Sequence, residues 1–241
     1  MKMERISEHI WSLKSWLLFP VHVWLVVADD GVTLVDAGFP IMAGGILRFI
    51  DQLNAGPLQR ILLTHGHGDH VGSVTRIREQ HPVPVYAHRI ELPYLEGELP
   101  YPRRRKAETG LPKGLAQPLV VEPATQSAMP LTEEPAAQPF SGGQGARLAL
   151  VAGLRPYLTP GHSPGHVAYY HEQDQVLLAG DLFTSKRGQL RRPMAMFTAD
   201  MAEAVRSSAI LRELQPKRLE VCHGTPVLQP AAQLDAYLKE R

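Results

Sequence analysis

The sequence has little cysteine, little excess charge and no long apolar run, and each shortage excludes a class of protein. Cys222 is the single cysteine among 241 residues, so no disulfide can form within the chain. The 25 basic residues nearly balance 24 acidic ones, and a net charge of +1 gives no broad field for nucleic acid or an anionic membrane. No run reaches the roughly 18 apolar residues of a membrane-spanning helix. We therefore predict a cytoplasmic protein that binds neither nucleic acid nor membrane.

The N-terminal segment has the outline of a signal peptide, because basic residues precede an apolar stretch. Pro20 and His22 interrupt that stretch, however, and an Asp-Asp-Gly sequence at residues 29–31 separates it from a second apolar run. Two β-rich runs around an Asp-Gly turn are typical of a β-hairpin. We therefore predict that residues 21–28 and 32–35 are paired strands of the fold rather than part of a leader.

Strands dominate the beginning of the chain and alternate with helices later. Apolar periodicity predicts helices at residues 42–54, 71–80, 199–214 and 226–239. Short apolar or alternating runs predict strands at residues 10–13, 21–28, 32–35, 60–63, 83–87, 147–151, 154–158, 167–171, 175–178 and 218–222. Two β-rich halves, each followed by helices, favour an α/β fold in which two sheets pack face to face with helices outside.

Residues 91–145 break this alternation. The segment is rich in proline and has little periodicity, and so long an irregular segment is commonly a functional lid or a flexible insert. We predict a lid over the active site, with Tyr94, Tyr101 and Arg104 as candidate substrate contacts. The basic run at residues 103–106 would then select an anionic substrate; the alternative is an ordinary solvent-exposed loop.

The strongest chemical signal follows the apolar strand that ends before Thr64. The next six residues carry potential metal ligands, in the order His65, His67, Asp69, His70. Three imidazoles and a carboxylate so close together are more than one tetrahedral catalytic ion needs, since such an ion takes three protein ligands and keeps a position open. Gly66 and Gly68 give the backbone the freedom to bring His65 and His67 together. The stretch therefore indicates a metal centre with a second ion nearby.

Three further candidate ligands, His162, Asp181 and His223, each follow a predicted strand. Side chains at the ends of separate strands can meet at one place, which is where sites are commonly built. Taken singly, a turn histidine or a capping aspartate is an equally good account of each. Together with the histidine-rich stretch, they supply the ligands that two ions would still lack.

This set of motifs resembles the metallo-β-lactamase superfamily, and the resemblance extends over nearly the whole chain, including Asp36 in a Leu-Val-Asp-Ala-Gly sequence. It implies a single domain over residues 1–241, folded as an αββα four-layer sandwich of two mixed β-sheets flanked by helices. The implied ligands are His65, His67 and His162 for one ion, Asp69, His70 and His223 for a second, and Asp181 as a bridge between them. Asp36 and His166 are expected to contact ligands rather than ions.

The chemistry that the resemblance implies is hydrolysis by a hydroxide bridging two divalent ions. Such ions lower the pKa of a shared water and polarise a substrate carbonyl, so no serine or cysteine nucleophile is required. Asp69 is expected to orient the water or accept its proton, and Asp181 to hold the spacing of the ions. Because imidazoles dominate the ligand set, zinc is the expected metal, with iron, manganese or cobalt also compatible.

The motifs are specific for the superfamily and leave the substrate open. We expect an ester, lactone or thioester of a small molecule, as in the glyoxalase II and lactonase-like branch. The di-zinc β-lactamases commonly have cysteine at the position of Asp181, which argues against a β-lactam. Thr184 stands where related lactonases often carry tyrosine, so a close match to those enzymes is in doubt.

Residues soon after Asp181 are candidates for the substrate pocket, with core packing as an equally good account. They are Phe183, Thr184, Met194 and Met196. Two other functions remain open: a di-iron redox module of the flavodiiron kind, and a hydrolase of a phosphate-bearing ester. A monomer and a homodimer are both compatible with the sequence.

Overall fold

The computed structural model describes residues 1–16, 19–102, 110–119 and 152–239. The strands are β1 (Lys2–Arg5), β2 (Ile10–Trp16), β3 (Pro20–Ala28), β4 (Gly31–Val35), β5 (Leu58–Leu62), β6 (Val85–His88), β7 (Ala116–Leu119), β8 (Leu154–Leu158), β9 (Val167–His171), β10 (Val176–Leu178), β11 (Thr184–Lys186), β12 (Gln189–Arg191), β13 (Arg218–Glu220) and β14 (Val227–Leu228). The helices are α1 (Ala43–Leu53), α2 (Gly68–Val71), α3 (Val74–Gln80), α4 (Leu92–Leu95), α5 (Met201–Ser207), α6 (Ile210–Leu214) and α7 (Leu234–Lys239), with 3-10 helices at Pro40–Met42 and Pro230–Gln233. No helix in these ranges is long and apolar enough to cross a membrane.

Two mixed sheets form the framework. The first has the order β1-β2-β3-β4-β5-β6-β7, antiparallel up to β4 and parallel beyond it. The second has the order β14-β13-β10-β9-β8, in which only β10 and β13 run parallel. A small hairpin of β11 and β12 stands apart from both. The predicted α/β fold of two mixed sheets with flanking helices is confirmed.

Alternation along β9 shows how the layers are assembled. Val167 and Tyr169 join the larger apolar core, which also holds side chains of the first sheet. Ala168 and Tyr170 join a second core that contains apolar residues of α6 and α7. Because successive side chains of a strand point to opposite faces, β9 packs against the first sheet on one side and against helices on the other.

The N-terminal apolar run is part of the first sheet, as its hairpin pattern predicts. β3 lies between β2 and β4, and the hairpin of β3 and β4 closes where Ala28 pairs with Gly31. Gly31 has a φ of 125°, a conformation that only glycine adopts without strain. Residues 20–28 of the stretch that resembles a signal peptide therefore form an interior strand of the sheet.

Two predicted helices differ in the structure. The helix expected at residues 71–80 begins later, as α3 at Val74, and the separate short helix α2 ends at Val71. Gly72 between them lies so close to Pro40 that a Cβ atom there would be 2.5 Å from the proline ring. The helix expected at residues 199–214 is divided into α5 and α6. At that break the Ser208 hydroxyl donates to the Val205 carbonyl oxygen, a side-chain bond that competes with the helix backbone.

Three other elements differ from the sequence-based expectation. The closing helix does not begin at Pro226, because Val227–Leu228 pairs with β13 as an edge strand before the helical turns. The charged strand β1 has no apolar alternation and was not predicted. Within residues 91–145, α4 and β7 are regular, and β7 extends the first sheet parallel to β6. The expected strand at residues 147–151 lies outside the described residues.

Replacing Gly31 by alanine should lower the free energy of unfolding by about 1–3 kcal/mol, because the new Cβ would meet the Pro57 carbonyl oxygen at a strained φ. Gly44 is the matched control. It lies in α1 with no atom within 4 Å of the position of a Cβ, so alanine there should stabilise the protein by about 0.5 kcal/mol. Urea unfolding of both variants measures these changes in the free energy of unfolding. Equal changes in the two variants would show that the turn at Gly31 has no special need for glycine.

Candidate metal centre

Asp36 fixes the start of the histidine-rich loop. It follows β4 with a left-handed φ of 56°, and its carboxylate is fully buried. Oδ1 accepts the Thr64 N–H at 2.8 Å, and Oδ2 accepts the Thr64 hydroxyl and the His70 Nδ1–H, each at 2.8 Å. Because Nδ1 of His70 is occupied in this way, its Nε2 faces the opposite direction, towards Asp181.

Three imidazoles converge on one side of the loop. Nδ1 of His67 lies 2.9 Å from Nε2 of His65 and 3.1 Å from Nε2 of His162. Their other contacts orient two of the rings: Nδ1 of His65 lies 3.0 Å from the Thr64 hydroxyl, and Nδ1 of His162 lies 3.2 Å from that of Thr198. The potential ligand atoms all lie within 4.8 Å of one another, so they can surround one ion. We call these residues the three-histidine group.

A second cluster lies beside it. Its potential ligand atoms, again within 4.8 Å of one another, belong to Asp69, His70, Cys222 and His223. Nε2 of His223 is 3.2 Å from Oδ2 of Asp69, and its Nδ1 lies 3.0 Å from the Pro20 carbonyl oxygen. We call this the aspartate-histidine group. The sequence analysis did not include Cys222 among the candidate ligands, and the structure places its sulfur among these ligand atoms.

Asp181 joins the two groups. Its Oδ2 lies 3.3 Å from Nε2 of His162 and 3.3 Å from Nε2 of His223, and its Oδ1 lies 3.6 Å from Nε2 of His70. One carboxylate therefore contacts imidazoles of both clusters, which is the arrangement expected of a residue between two ions.

His166 holds Asp181 from behind. Burial lowers the pKa of His166 to about 3, so its imidazole is neutral. Nδ1 lies 2.9 Å from the Thr159 hydroxyl, while Nε2 accepts the backbone N–H of Asp181 at 3.1 Å. The ring thus contacts a candidate ligand rather than contributing one, as expected for this residue.

The donor set fits a bound cation. Nε2 of His70 and Oδ1 of Asp181 are buried without a hydrogen-bond partner, and such atoms are costly unless something satisfies them. Burial lowers the pKa of His65 and His162 well below the usual histidine range, which leaves both rings neutral. Burial acts to raise the pKa of Asp181, but His223, His70 and His162 outweigh it, and the carboxyl stays ionised. Neutral imidazoles and an ionised carboxylate suit zinc or iron.

The candidate ligands open onto a cavity of about 300 Å³. One part of its lining belongs to the candidate metal centre and consists of His67, Gly68, Asp69, Asp181 and His223. The other part is apolar and consists of Phe19, Phe39, Met194 and Phe197. The Phe19 ring stands edge-on to His223 with 5.1 Å between centroids. None of the described residues that line the cavity is an arginine or a lysine. The three phenylalanines lie between regular elements, where single aromatic residues produce no periodic signal, and sequence reasoning missed them.

The expected pocket residues after Asp181 are mostly elsewhere. Phe183 is fully buried in the second core, edge-on to Tyr237, and the Thr184 hydroxyl donates to the Arg192 carbonyl oxygen. Met196 is 79% exposed. Of these candidates, only Met194 is among the described residues lining the cavity. The sequence cannot separate core from pocket here, because both require apolar side chains.

The described part of the segment expected to form a lid contacts the three-histidine group, and the lid itself stays a prediction. Tyr101 is buried, its hydroxyl donates to Glu91, and its ring stands against His67 with 4.5 Å between centroids. Tyr94 stacks on Tyr101 at 5.0 Å. Neither tyrosine is among the described residues that line the cavity, and substrate contact by either one stays a prediction. Arg104 and the rest of the basic run lie outside the described residues.

Comparisons with known proteins agree with this geometry. A family model described as the metallo-beta-lactamase superfamily matches residues 16–223. The probable metallo-hydrolase YybB of Bacillus subtilis strain 168 is 35% identical over 232 residues, 95% of this chain and 93% of that protein. The solved structure of a metallo-beta-lactamase from Pontibacter korlensis superposes with a TM-score of 0.70 at 18% identity, over 100% and 99% of the two chains, which shows the fold. The crystal structure of TTHA1623 in a di-iron-bound form gives 0.63 at 25% identity, over 95% and 98%.

Zinc binding to the metal-free protein should release protons at pH 7. Burial acts to lower the pKa of His70 and His223, but nearby side chains raise both above the usual range: Cys222 and Asp36 above all for His70, and Asp181 for His223. Each ring therefore carries a proton that a cation must displace, and apparent affinity should fall about tenfold per pH unit for each proton as the pH drops.

Calorimetric titration in two buffers of different ionisation enthalpy measures the protons released. His70→Gln, which removes one of the titrating rings, should release fewer protons than the unmodified protein. A binding enthalpy that is the same in both buffers would show that these histidines are already neutral.

Proposed function

The chain belongs to the metallo-β-lactamase superfamily and is a metal-dependent hydrolase, and we propose that it cleaves the ester, lactone or thioester bond of a small molecule with an apolar acyl group. The observation that carries this proposal is the composition of the cavity. Asp69, Asp181 and His223 face the same space as Phe19 and Phe197. A substrate carbonyl at the metal centre would therefore have its acyl chain against aromatic side chains.

We further propose that the centre holds two divalent ions, zinc or iron. The three-histidine group and the aspartate-histidine group each offer enough ligands for one ion, and Asp181 contacts both groups. The di-iron-bound form of TTHA1623, a related fold, supports a pair of ions in this position. When bound, two such ions supply a nucleophile from water near neutral pH and polarise the carbonyl oxygen.

The chain's own residues supply position and proton transfer. The Asp69 side chain is 17% exposed, more than those of His70, Asp181 and His223, and it lines the cavity. Burial raises the pKa of Asp69, but the charge of His70 outweighs this and keeps the carboxyl ionised, so it can accept a hydrogen bond or a proton from water. Asp181 holds the two groups of ligands at a fixed separation.

The cavity favours a neutral acyl group over an anionic one. The described residues of its lining include no arginine or lysine, the side chains that most often pair with a phosphate. An anionic substrate would have to be recognised by the basic run at residues 103–106, which lies outside the described residues. A phosphate-bearing ester is therefore the alternative substrate to be tested.

We expect the zinc-loaded protein to hydrolyse a medium-chain acyl-homoserine lactone or acyl thioester faster than a phosphate-bearing ester of equal length. Proton release at constant pH measures turnover, and a chelator should abolish it until zinc is restored. Asp181→Asn, which weakens the contact between the two groups, should lose one ion and most of the rate, whereas Asp235→Asn at an exposed position should change neither.

Two results would contradict this proposal. A preference for the phosphate-bearing ester would indicate that the basic run at residues 103–106 recognises the substrate. Metal analysis and an absorption spectrum that show redox-active iron, together with no hydrolysis of any of these compounds, would favour the di-iron redox alternative, because zinc has no visible absorption band.

Shortening Phe19 to alanine should raise the KM for an octanoyl substrate about tenfold and leave that for an acetyl substrate within about twofold, because only the longer chain reaches the aromatic lining. Met196→Ala is the matched control, since Met196 is exposed and does not line the cavity. Steady-state kinetics of both variants with the octanoyl and the acetyl substrate measure these KM values. Equal changes for the two substrates would place the acyl chain elsewhere.

A further inference from the structure

Glu91 is a buried acidic residue close to the metal centre that belongs to neither group of candidate ligands. It follows β6, immediately before α4, and its side chain is completely buried. Glutamate is almost never fully buried unless it is paired, because removing a carboxylate from water is costly. The contacts that stabilise Glu91 therefore indicate what it does.

The two carboxylate oxygens of Glu91 hold two different turns. Oε1 accepts the backbone N–H of Gly66 at 3.1 Å and the hydroxyl of Tyr101. Oε2 accepts the hydroxyl of Ser163 at 2.9 Å and the backbone N–H of Gly165 at 2.8 Å. Gly66 lies between His65 and His67, and Ser163 directly follows His162. One side chain thus connects the two segments that carry the whole three-histidine group.

Close packing around Glu91 explains two glycines. A Cβ atom at Gly165 would lie 2.6 Å from the Glu91 backbone nitrogen, and one at Gly66 would lie 3.1 Å from the Leu95 Cα atom. Neither glycine has a positive φ. They are needed for the approach of the segment that begins at Glu91, and not for the backbone freedom that the sequence suggested for Gly66.

Tyr101 extends this contact to a candidate ligand. Its hydroxyl donates to Glu91 while its ring stands against the His67 imidazole. The position of His67 is therefore constrained from two directions, by the hydrogen bond to Gly66 and by the ring of Tyr101.

We propose that Glu91 is the positioning residue of the three-histidine group. Its carboxylate holds the loop of His65 and His67 and the turn of His162 at the separation at which their imidazoles meet on one ion. This inference rests on the proposed two-ion function and adds a residue that contacts neither ion. It also connects the beginning of the 91–145 segment to one half of the metal centre.

Glu91→Gln tests the proposal with little change in volume. A glutamine has one acceptor oxygen and one donor NH2 group. Whichever end the NH2 occupies, it faces a backbone N–H, of Gly66 or of Gly165, which cannot accept a hydrogen bond. One of the two segments therefore loses its anchor.

Equilibrium dialysis against graded free zinc, followed by metal analysis, resolves the two binding steps. In Glu91→Gln we expect one step to weaken about 10- to 100-fold and the other to stay within about threefold. In a His223→Ala background, which removes a ligand of the aspartate-histidine group, the remaining step should show the same loss on addition of Glu91→Gln.

Glu220→Gln is the matched control, because Glu220 is equally buried but contacts Arg218 and Trp24. It should leave both zinc steps within about threefold, and thermal unfolding of the metal-free proteins gives the structural cost of each variant. If Glu91→Gln binds both ions as tightly as the unmodified protein, or weakens both equally, Glu91 has no positioning role. If the unmodified protein itself binds fewer than two ions, the two-ion function fails instead.

Tyr101→Phe covers the case in which Glu91→Gln does not fold. It removes one donor to Glu91 and keeps the ring against His67, so the same zinc step should weaken by a smaller factor, roughly 2- to 10-fold. An unchanged zinc affinity in Tyr101→Phe, together with a misfolded Glu91→Gln, would overturn the positioning role and leave Glu91 as a core residue.

Discussion

The hydrogen bonds of the Asp36 carboxylate are the constraint on which the rest of the site depends. Asp36 ends β4, and it fixes both ends of the ligand loop by accepting from Thr64 and from His70. The neighbouring strand β5 leads directly into that loop, so the first sheet sets the position of four candidate ligands at once. A buried carboxylate whose two oxygens both accept hydrogen bonds is rigid, which is what a metal centre requires of its supporting residues.

The second sheet brings the remaining ligands to the same place. His162, Asp181 and His223 follow β8, β10 and β13, and the edge where these strands end faces the ligand loop. In the resulting cluster, Nε2 of His70 and Oδ1 of Asp181 are buried without a hydrogen-bond partner, which is costly in the absence of a cation. The fold thus maintains a preformed centre whose cost is offset when metal binds.

The 91–145 segment contributes differently at its two described parts. Residues near Glu91 support the three-histidine group from behind, and β7 completes the edge of the first sheet. The wall of the cavity instead comes from Phe19, Phe39, Met194 and Phe197. The apolar wall of the cavity and the support of the three-histidine group therefore come from different parts of the chain.

The sequence by itself determined the two-sheet fold and the list of candidate metal ligands. The fold follows from apolar periodicity and turns. For the ligands, the density of histidine and aspartate marks residues 65–70, and the resemblance to the superfamily adds His162, Asp181 and His223. The tertiary structure alone decided what surrounds those ligands. Phe183 and Phe19 are chemically alike, and only packing places one in the core and the other in the cavity. Glu91 and Gly66 are 25 residues apart, and a contact between distant positions leaves no periodic trace in a single sequence.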